Sequence, residues 1–145
     1  MKESLMATEN NKKWALIGIP DHEAVFNTKG RIGTGLGPKE FRSQFLQMNG
    51  KIPIFDSMED FGDLPNLSSE IEKNHSLAAD LIKKAHKTVP TSIIIGGSHD
   101  HGYSHLKGIH DANPTTMGCI NIDAHLDLRK PDPEISSGSP FYLAM

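Results

Sequence analysis

Two carboxylates and one imidazole alternate in the stretch Asp123-Ala-His125-Leu-Asp127, directly after the apolar run of residues 117–122. In extended backbone, residues i, i+2 and i+4 point to the same side. The three side chains are therefore expected to converge at the carboxyl end of a strand. Carboxylate oxygens together with an imidazole nitrogen suit a divalent ion of borderline hardness, namely Mn, Fe, Co, Ni or Zn. These residues leave one alternative open, a polar loop with a single capping aspartate.

A second strand-and-turn pattern, Ile93-Ile-Ile-Gly96-Gly97-Ser98-His99, precedes that stretch. Glycines permit positive φ and close approach of the backbone, so the pattern places His99 in a tight turn at the carboxyl end of its strand. Sites in open α/β sheets form outside those ends. If the two strands are adjacent and parallel, His99 comes close to the first group. On its own, His99 would be interpreted as a hydrogen-bonded turn histidine. The candidate metal ligands are His99, Asp123, His125 and Asp127.

The histidines outside this group carry a weaker signal. Three of them fall in a predicted helix, where a solvated helix face is favoured over metal binding: His101, His105 and His110. The other three have no partners that the sequence identifies: His22, His75 and His86. None of these six is predicted to be a ligand.

Two further features are predicted to have no catalytic role. The glycine-rich residues 33–38 follow no strand directly and lack a Gly-Lys-Ser/Thr sequence, so a flexible turn feeding a helix is favoured over a phosphate loop. Cys119 is predicted to lie buried and inert within a strand. As the one cysteine of the chain it cannot form an internal disulfide, which makes a reducing cytoplasm the simplest compartment.

Apolar runs alternate with helical patterns along the chain. Strands are predicted at residues 14–19, 52–55, 92–95 and 117–122, the second at a sheet edge because it contains a proline. Helices are predicted from Pro38 to a stop at Asn49-Gly50, from a Ser69–Glu72 capping box to Pro90, over residues 99–111, and from Ser139 onward. This alternation indicates an α/β fold with a largely parallel sheet. Residues 1–12 are expected to be a disordered leader and residues 13–145 one domain.

Composition narrows the class of protein. The chain has 145 residues, which allows one domain, since domains commonly run to about 100–200 residues. Fifteen basic and 18 acidic residues give a net charge of -3, which argues against a polybasic nucleic-acid or membrane-surface protein. The apolar runs are too short to span a bilayer.

The strand-and-turn motifs resemble those of the ureohydrolases: arginase, agmatinase and formimidoylglutamase. Members of that family carry a Gly-Gly-x-His turn, here Gly96-Gly97-Ser98-His99, and an Asp-Ala-His-x-Asp motif after the next strand, here at residues 123–127. Gly18-Ile-Pro20 and residues 30–38 are similar to the family's first strand and loop. Asp-Leu-Arg at residues 127–129 and Ser137-Gly-Ser-Pro-Phe141 look most like formimidoylglutamase.

The resemblance implies a three-layer α/β/α sandwich and two Mn²⁺ ions. His99 would bind one ion and His125 the other, Asp123 would bridge them, and Asp127 would complete the side that bears His99. Two cations about 3.5–4 Å apart lower the pKa of a shared water, and the resulting hydroxide would attack a planar amidine or guanidine carbon. The expected substrate is formimidoylglutamate, which would give glutamate and formamide, with agmatine and arginine as alternatives. Family members often assemble into rings or trimers, so a homo-oligomer is expected.

Two departures from the family are expected to matter. The family takes two more aspartate ligands from a later Asp-x-Asp motif, and no such sequence follows Leu128 here. Ser137 also stands where arginases carry a histidine, which favours formimidoylglutamase over arginase. The chain therefore looks like an N-terminal portion, and alone it is expected to be inactive or nearly so. A non-catalytic fragment or partner-binding subunit and a mononuclear, deacetylase-like hydrolase are the other hypotheses.

Overall fold

The computed structural model describes residues 11–31, 33–48 and 53–145, without the side chains of residues 53 and 55. Residues 1–10 of the expected leader and the expected helix stop at residues 49–50 lie outside this part. The strands are β1 (Trp14–Ile19), β2 (Met58–Asp63) and β3 (Thr91–Gly96). The α-helices are α1 (Glu23–Phe26), α2 (Gly37–Gln47), α3 (Ile71–His86), α4 (His101–Ala112) and α5 (Pro140–Ala144), with short 3-10 helices at Thr34–Leu36 and Pro53–Ser57.

The three strands form a parallel sheet in the order β2-β1-β3. Trp14 of β1 aligns with Met58 of β2 and with Thr91 of β3. The pairing of β1 with β3 continues without a bulge to Ile19 and Gly96, the last residues of the two strands. Both strands therefore end at the same edge of the sheet, which is where ligand sites form in α/β proteins.

Strand β1 is buried on both faces, as its continuous apolar run predicts. Alternate residues of β1 pack with α3 in one apolar cluster, whose fully buried members include Ala15, Ile17, Ile82 and Ala85. The opposite face lies against α2: a Cβ at Gly18 would stand 2.8 Å from Pro38 Cβ. Helices on both faces of a parallel sheet confirm the predicted three-layer α/β/α architecture.

Close contacts and an ion pair fix the helix layers. Helix α4 packs on α3 through Gly108, where a Cβ would stand 2.7 Å from both the Ala79 carbonyl oxygen and Ile82 Cβ. On the other face, Arg42 of α2 binds Asp60 of β2 at 2.8 Å and also contacts Asp63. No helix in the described residues is long and apolar enough to cross a membrane.

Two predictions near β2 and α3 were wrong. The expected strand at residues 52–55 is replaced, in its described part, by the 3-10 helix Pro53–Ser57, and the strand begins at Met58. Proline lacks the N–H that a ladder needs. The Ser69–Glu72 capping box does not form, because Glu70 is the N-cap of α3 and no side chain caps it.

The predicted strand at residues 117–122 is absent, and Cys119 is exposed rather than buried. Ile120 is 89% exposed and Ile122 95% exposed. No strand in the described part of the chain pairs with this segment. An apolar run forms a strand only when a neighbour satisfies its backbone groups and covers its side chains, so the pattern alone was not sufficient.

A hydroxyl between two imidazoles joins α3, β3 and α4. Ser92 Oγ lies 2.8 Å from His86 Nε2 and 3.0 Å from His105 Nε2. A hydroxyl carries one hydrogen, so Ser92 donates to one ring and accepts from the other. Burial lowers the pKa of His105 from 6.5 to about 4, and the nearby His86 ring adds to this shift. Burial also lowers the pKa of His86.

This arrangement predicts a loss of stability in weak acid. Because the folded-state pKa of His105 lies below its unfolded value, the unfolded chain binds more protons between pH 6.5 and about 4. The free energy of unfolding should therefore fall as the pH falls through that window. We expect His105→Gln, which retains a hydrogen-bonding partner for Ser92, to weaken this pH dependence in urea titrations followed by circular dichroism. His110→Gln, at an exposed position of α4, should keep it. If the free energy of unfolding of His105→Gln depends on pH as steeply as that of the unaltered chain, the assignment to His105 is wrong.

Candidate metal centre

The turn after β3 packs tightly against the loop after β1. The Gly97 N–H donates to the Ile19 carbonyl at 2.9 Å, which extends the pairing of the two strands by one residue. A Cβ at Gly97 would lie 3.0 Å from Gly35 Cα and 3.1 Å from the Asp21 carbonyl carbon. Only glycine fits between these two backbones, so the turn has a fixed place at the carboxyl edge of the sheet.

Three of the four predicted ligands come together at this edge. His99, Asp123 and Asp127 each offer one ligand atom, and these atoms lie within 4.8 Å of one another. The shortest contact joins His99 Nε2 to Asp127 Oδ2 at 3.1 Å. The His99 side chain is 45% exposed and that of Asp127 only 8% exposed. The group is thus open to solvent on the imidazole side.

The fourth predicted ligand, His125, lies at the rim of this group. Its side chain is 79% exposed. It reaches the group through Asp123, because His125 Nδ1 lies 3.2 Å from Asp123 Oδ1 and the His125 backbone N–H donates to the same oxygen at 2.8 Å. Asp123 therefore contacts His125 and also belongs to the group that contains His99 and Asp127.

The backbone that presents these side chains is a turn rather than an extended strand end. Asp127 has φ of 52°, so the predicted i, i+2, i+4 convergence in extended backbone was wrong. The Asp123 carboxylate accepts the backbone N–H two residues on, which is the bond of an Asx turn. The end of the chain supports this turn: the Phe141 N–H donates to the Asp127 carbonyl at 3.2 Å, and Arg129 N–H to Gly138 carbonyl at 2.9 Å.

Hydrogen bonds keep the central carboxylate charged. The backbone N–H of His125 lowers the pKa of Asp123, and the side chains of His125 and His99 lower it further. An ionised carboxylate only accepts hydrogen bonds and is the form that binds a cation. The donor set of carboxylate oxygens and imidazole nitrogens fits a divalent ion of the Mn–Zn series.

A second cluster, which the sequence interpretation missed, lies buried behind the first. His75 Nε2 donates to Asp100 Oδ2 at 2.6 Å, and His101 Nε2 donates to Asp21 Oδ2 at 2.9 Å. All four side chains are at most 3% exposed. The prediction that His101 lies on a solvated helix face was wrong. His75, for which the sequence identified no partner, is bonded to Asp100.

One signal in the sequence could have indicated this cluster. His75 lies four residues after Ile71 and three before Ala78, on the apolar stripe of α3. A polar residue at such a position is buried and needs a hydrogen-bonding partner. Nothing in the spacing identifies that partner, since Asp100 lies 25 residues further along the chain.

Fold and site together define a three-layer α/β protein with a histidine–carboxylate cluster at the carboxyl edge of a parallel sheet. The sequence model of the arginase family matches residues 12–145. The chain belongs to the arginase family.

Similar proteins agree with this membership. A formimidoylglutamase of Macrococcus caseolyticus is 35% identical over 117 residues, which is 79% of this chain and 36% of that protein. One from Klebsiella pneumoniae is 33% identical over 128 residues, covering 88% of this chain and 40% of that protein. Trypanosoma cruzi formiminoglutamase with Mn²⁺ superimposes with a TM-score of 0.76 at 29% identity, covering 96% of this chain and 49% of that one. The chain thus spans less than half the length of these relatives.

The packing of the turn predicts that alanine at Gly97 destabilises the chain more than alanine at the adjacent Gly96. We expect Gly97→Ala to lower the free energy of unfolding by about 1–3 kcal/mol, since the added Cβ overlaps two backbones. Gly96→Ala is the matched control, because its Cβ would have its nearest neighbour at 3.5 Å. That change should alter stability by less than about 1 kcal/mol. Equal losses in urea-unfolding measurements would show that the close approach at Gly97 does not fix the turn.

Proposed function

We propose that this chain supplies metal ligands to a hydrolase that acts on linear amidine C–N bonds, with formimidoylglutamate as substrate. The observation that carries the proposal is the convergence of His99, Asp123 and Asp127 within 4.8 Å, with His125 bonded to Asp123. Capping by a single aspartate does not account for a group assembled from two separate turns. The position at the carboxyl edge of a parallel sheet is also where such sites form.

The proposed ions are two Mn²⁺, as in the Trypanosoma cruzi formiminoglutamase structure. His99 and Asp127 would hold one ion and His125 the other, and Asp123 would bridge them. The assignment is supported by the two sets of contacts of Asp123, which lies within 4.8 Å of the ligand atoms of His99 and Asp127 and 3.2 Å from His125 Nδ1. When bound, the ions would lower the pKa of a shared water and stabilise charge that develops on the substrate.

The residues of the chain have separate tasks in this proposal. Asp123 and Asp127 provide the negative charge that draws cations to the edge, and the lowered pKa of Asp123 keeps that carboxyl ionised in weak acid. The exposed sides of His99 and His125 leave room for a small planar substrate. Addition of water to the formimidoyl carbon and cleavage of its bond to the glutamate nitrogen would give formamide and glutamate.

The choice of formimidoylglutamate depends on two kinds of support. Relatives that are 33–35% identical carry the name formimidoylglutamase. The Asp127-Leu-Arg129 stretch and Ser137, which replaces the histidine of arginases, look most like that member of the family. Agmatine and arginine are the alternative substrates.

A second candidate function is that of a non-catalytic, partner-binding chain. The apolar side chains of Ile120, Ile122 and Leu126 are 89%, 95% and 79% exposed. Exposed apolar residues in one segment are typical of surfaces that associate with another protein. This candidate needs no bound metal, so metal binding separates the two.

Metal binding by the chain is the first test. We expect Mn²⁺ to bind, as measured by the loss of free-ion signal in electron paramagnetic resonance, and His99→Ala or Asp123→Ala each to abolish that binding. His110→Ala, an exposed histidine change on α4, is the matched control and should bind as the unaltered chain does. Retained binding in both ligand variants would contradict the ligand assignment, and no Mn²⁺ binding by the unaltered chain would favour the partner-binding candidate.

The substrate is tested by assaying formimidoylglutamate, agmatine and arginine with added Mn²⁺. The chain offers four candidate ligands and no Asp-x-Asp sequence after Leu128, so we expect weak metal affinity and at most a trace of turnover, confined to formimidoylglutamate. Formamide and glutamate would be measured as products. Robust turnover would contradict the inference that the ligand set of this chain is incomplete. Turnover of agmatine or arginine without turnover of formimidoylglutamate would contradict the proposed substrate.

A further inference from the structure

In the turn after β3, one exposed side chain is followed by two that are buried. The His99 side chain is 45% exposed, whereas those of Asp100 and His101 are 1% and 3% exposed. His99 thus points to solvent, whereas the next two side chains point into the core. Contacts that hold the side chains of Asp100 and His101 in the core therefore also set the direction in which the His99 side chain points.

Two buried pairs fix those side chains: His75 with Asp100, and His101 with Asp21. The first ties the turn to α3 through a 2.6 Å hydrogen bond. The second ties it to the loop after β1 through a 2.9 Å bond. Asp21 also accepts from Asn74 Nδ2 at 2.8 Å. Hydrogen bonds between charged and polar groups in a buried setting have narrow geometry and hold their partners tightly.

The charge on Asp21 is maintained although the group is buried. Burial alone would raise its pKa, but the hydrogen bonds from His101, the Glu23 backbone N–H and Asn74 outweigh it and hold the pKa at about 2. The carboxylate therefore remains a strong acceptor for His101.

The buried pairs are a hydrogen-bonded network rather than a second cation site. Ligand atoms of His75, Asp100 and His101 lie within 4.8 Å of one another. However, both nitrogens of His101 are already engaged, Nε2 with Asp21 and Nδ1 with Ser104 Oγ at 3.1 Å. His75 Nε2 is likewise engaged with Asp100. A cation here would have to displace these bonds inside the core. In the first group the imidazoles of His99 and His125 also contact carboxylates, but both are open to solvent and can exchange those contacts for a cation.

We propose that the buried pair of His75 and Asp100 is a positioning element that holds His99 in the direction required to bind a cation with Asp127 and Asp123. This inference rests on the proposed function, in which His99 is a metal ligand. The supporting juxtaposition is direct, because Asp100 adjoins His99 in the chain and its carboxylate is fixed on α3. Residues that orient a metal ligand typically change metal affinity by about 10–100-fold when altered.

The test replaces the pair without leaving a buried charge. Leucine at both positions (His75→Leu with Asp100→Leu) removes the hydrogen bond, and such apolar replacements of buried pairs are often neutral for stability. We expect a folded chain whose Mn²⁺ affinity, measured by electron paramagnetic resonance, is reduced about tenfold. His75→Gln, which retains a donor for Asp100, should restore most of the affinity. His105→Gln, which alters a histidine of α4 outside the buried pair, is the control and should leave the affinity unchanged.

The outcomes separate this inference from the proposed function. If His99→Ala leaves Mn²⁺ affinity unchanged, the proposed function fails and the inference with it. If His99→Ala abolishes binding but the folded double-leucine variant retains full affinity, only the positioning role is overturned. A double variant that does not fold is replaced by Asp100→Asn, which keeps the side-chain shape and weakens the bond. Full affinity in that variant also overturns the inference, and a measurable loss supports it.

Discussion

The in-register parallel pairing of β1 with β3 is the constraint on which the rest of this structure depends. It brings Ile19 and Gly96 to the same edge of the sheet, and the bond from Gly97 to Ile19 carries the pairing into the turn. Every residue of the candidate site on this turn takes its position from that alignment. A shift of one residue would turn the side chains of β3 to the opposite face of the sheet.

The fold was predictable where the signal is local. The apolar run of β1, the β-branched run of β3 and the stripe of α3 each specify an element within a few residues. The segment at residues 117–122 was mispredicted because a strand requires a neighbour, and none of the described strands lies beside it. The Ser69–Glu72 box did not form either: the N-cap of α3 is Glu70, and the Ser68 N–H in the preceding loop donates to Asn74 Oδ1 of the helix.

The candidate site was predictable in composition but not in geometry. Residue types identified His99, Asp123, His125 and Asp127, and the structure gathers three of them with the fourth attached. The reason given for their convergence was wrong, since Asp127 has positive φ and the motif forms a turn. The buried pairs were missed because their members are distant in sequence: His101 and Asp21 are separated by 80 positions. Local spacing carries no information about such contacts.

The most direct measurement of the central claim is the Mn²⁺-induced broadening of histidine ring signals in proton magnetic resonance of the chain. The account predicts that substoichiometric Mn²⁺ broadens the rings of His99 and His125 first, while His110, near the other end of α4, stays sharp. Uniform broadening of all the rings, or sharp signals from His99 and His125 in the presence of the ion, would contradict a cation site at the carboxyl edge of this sheet.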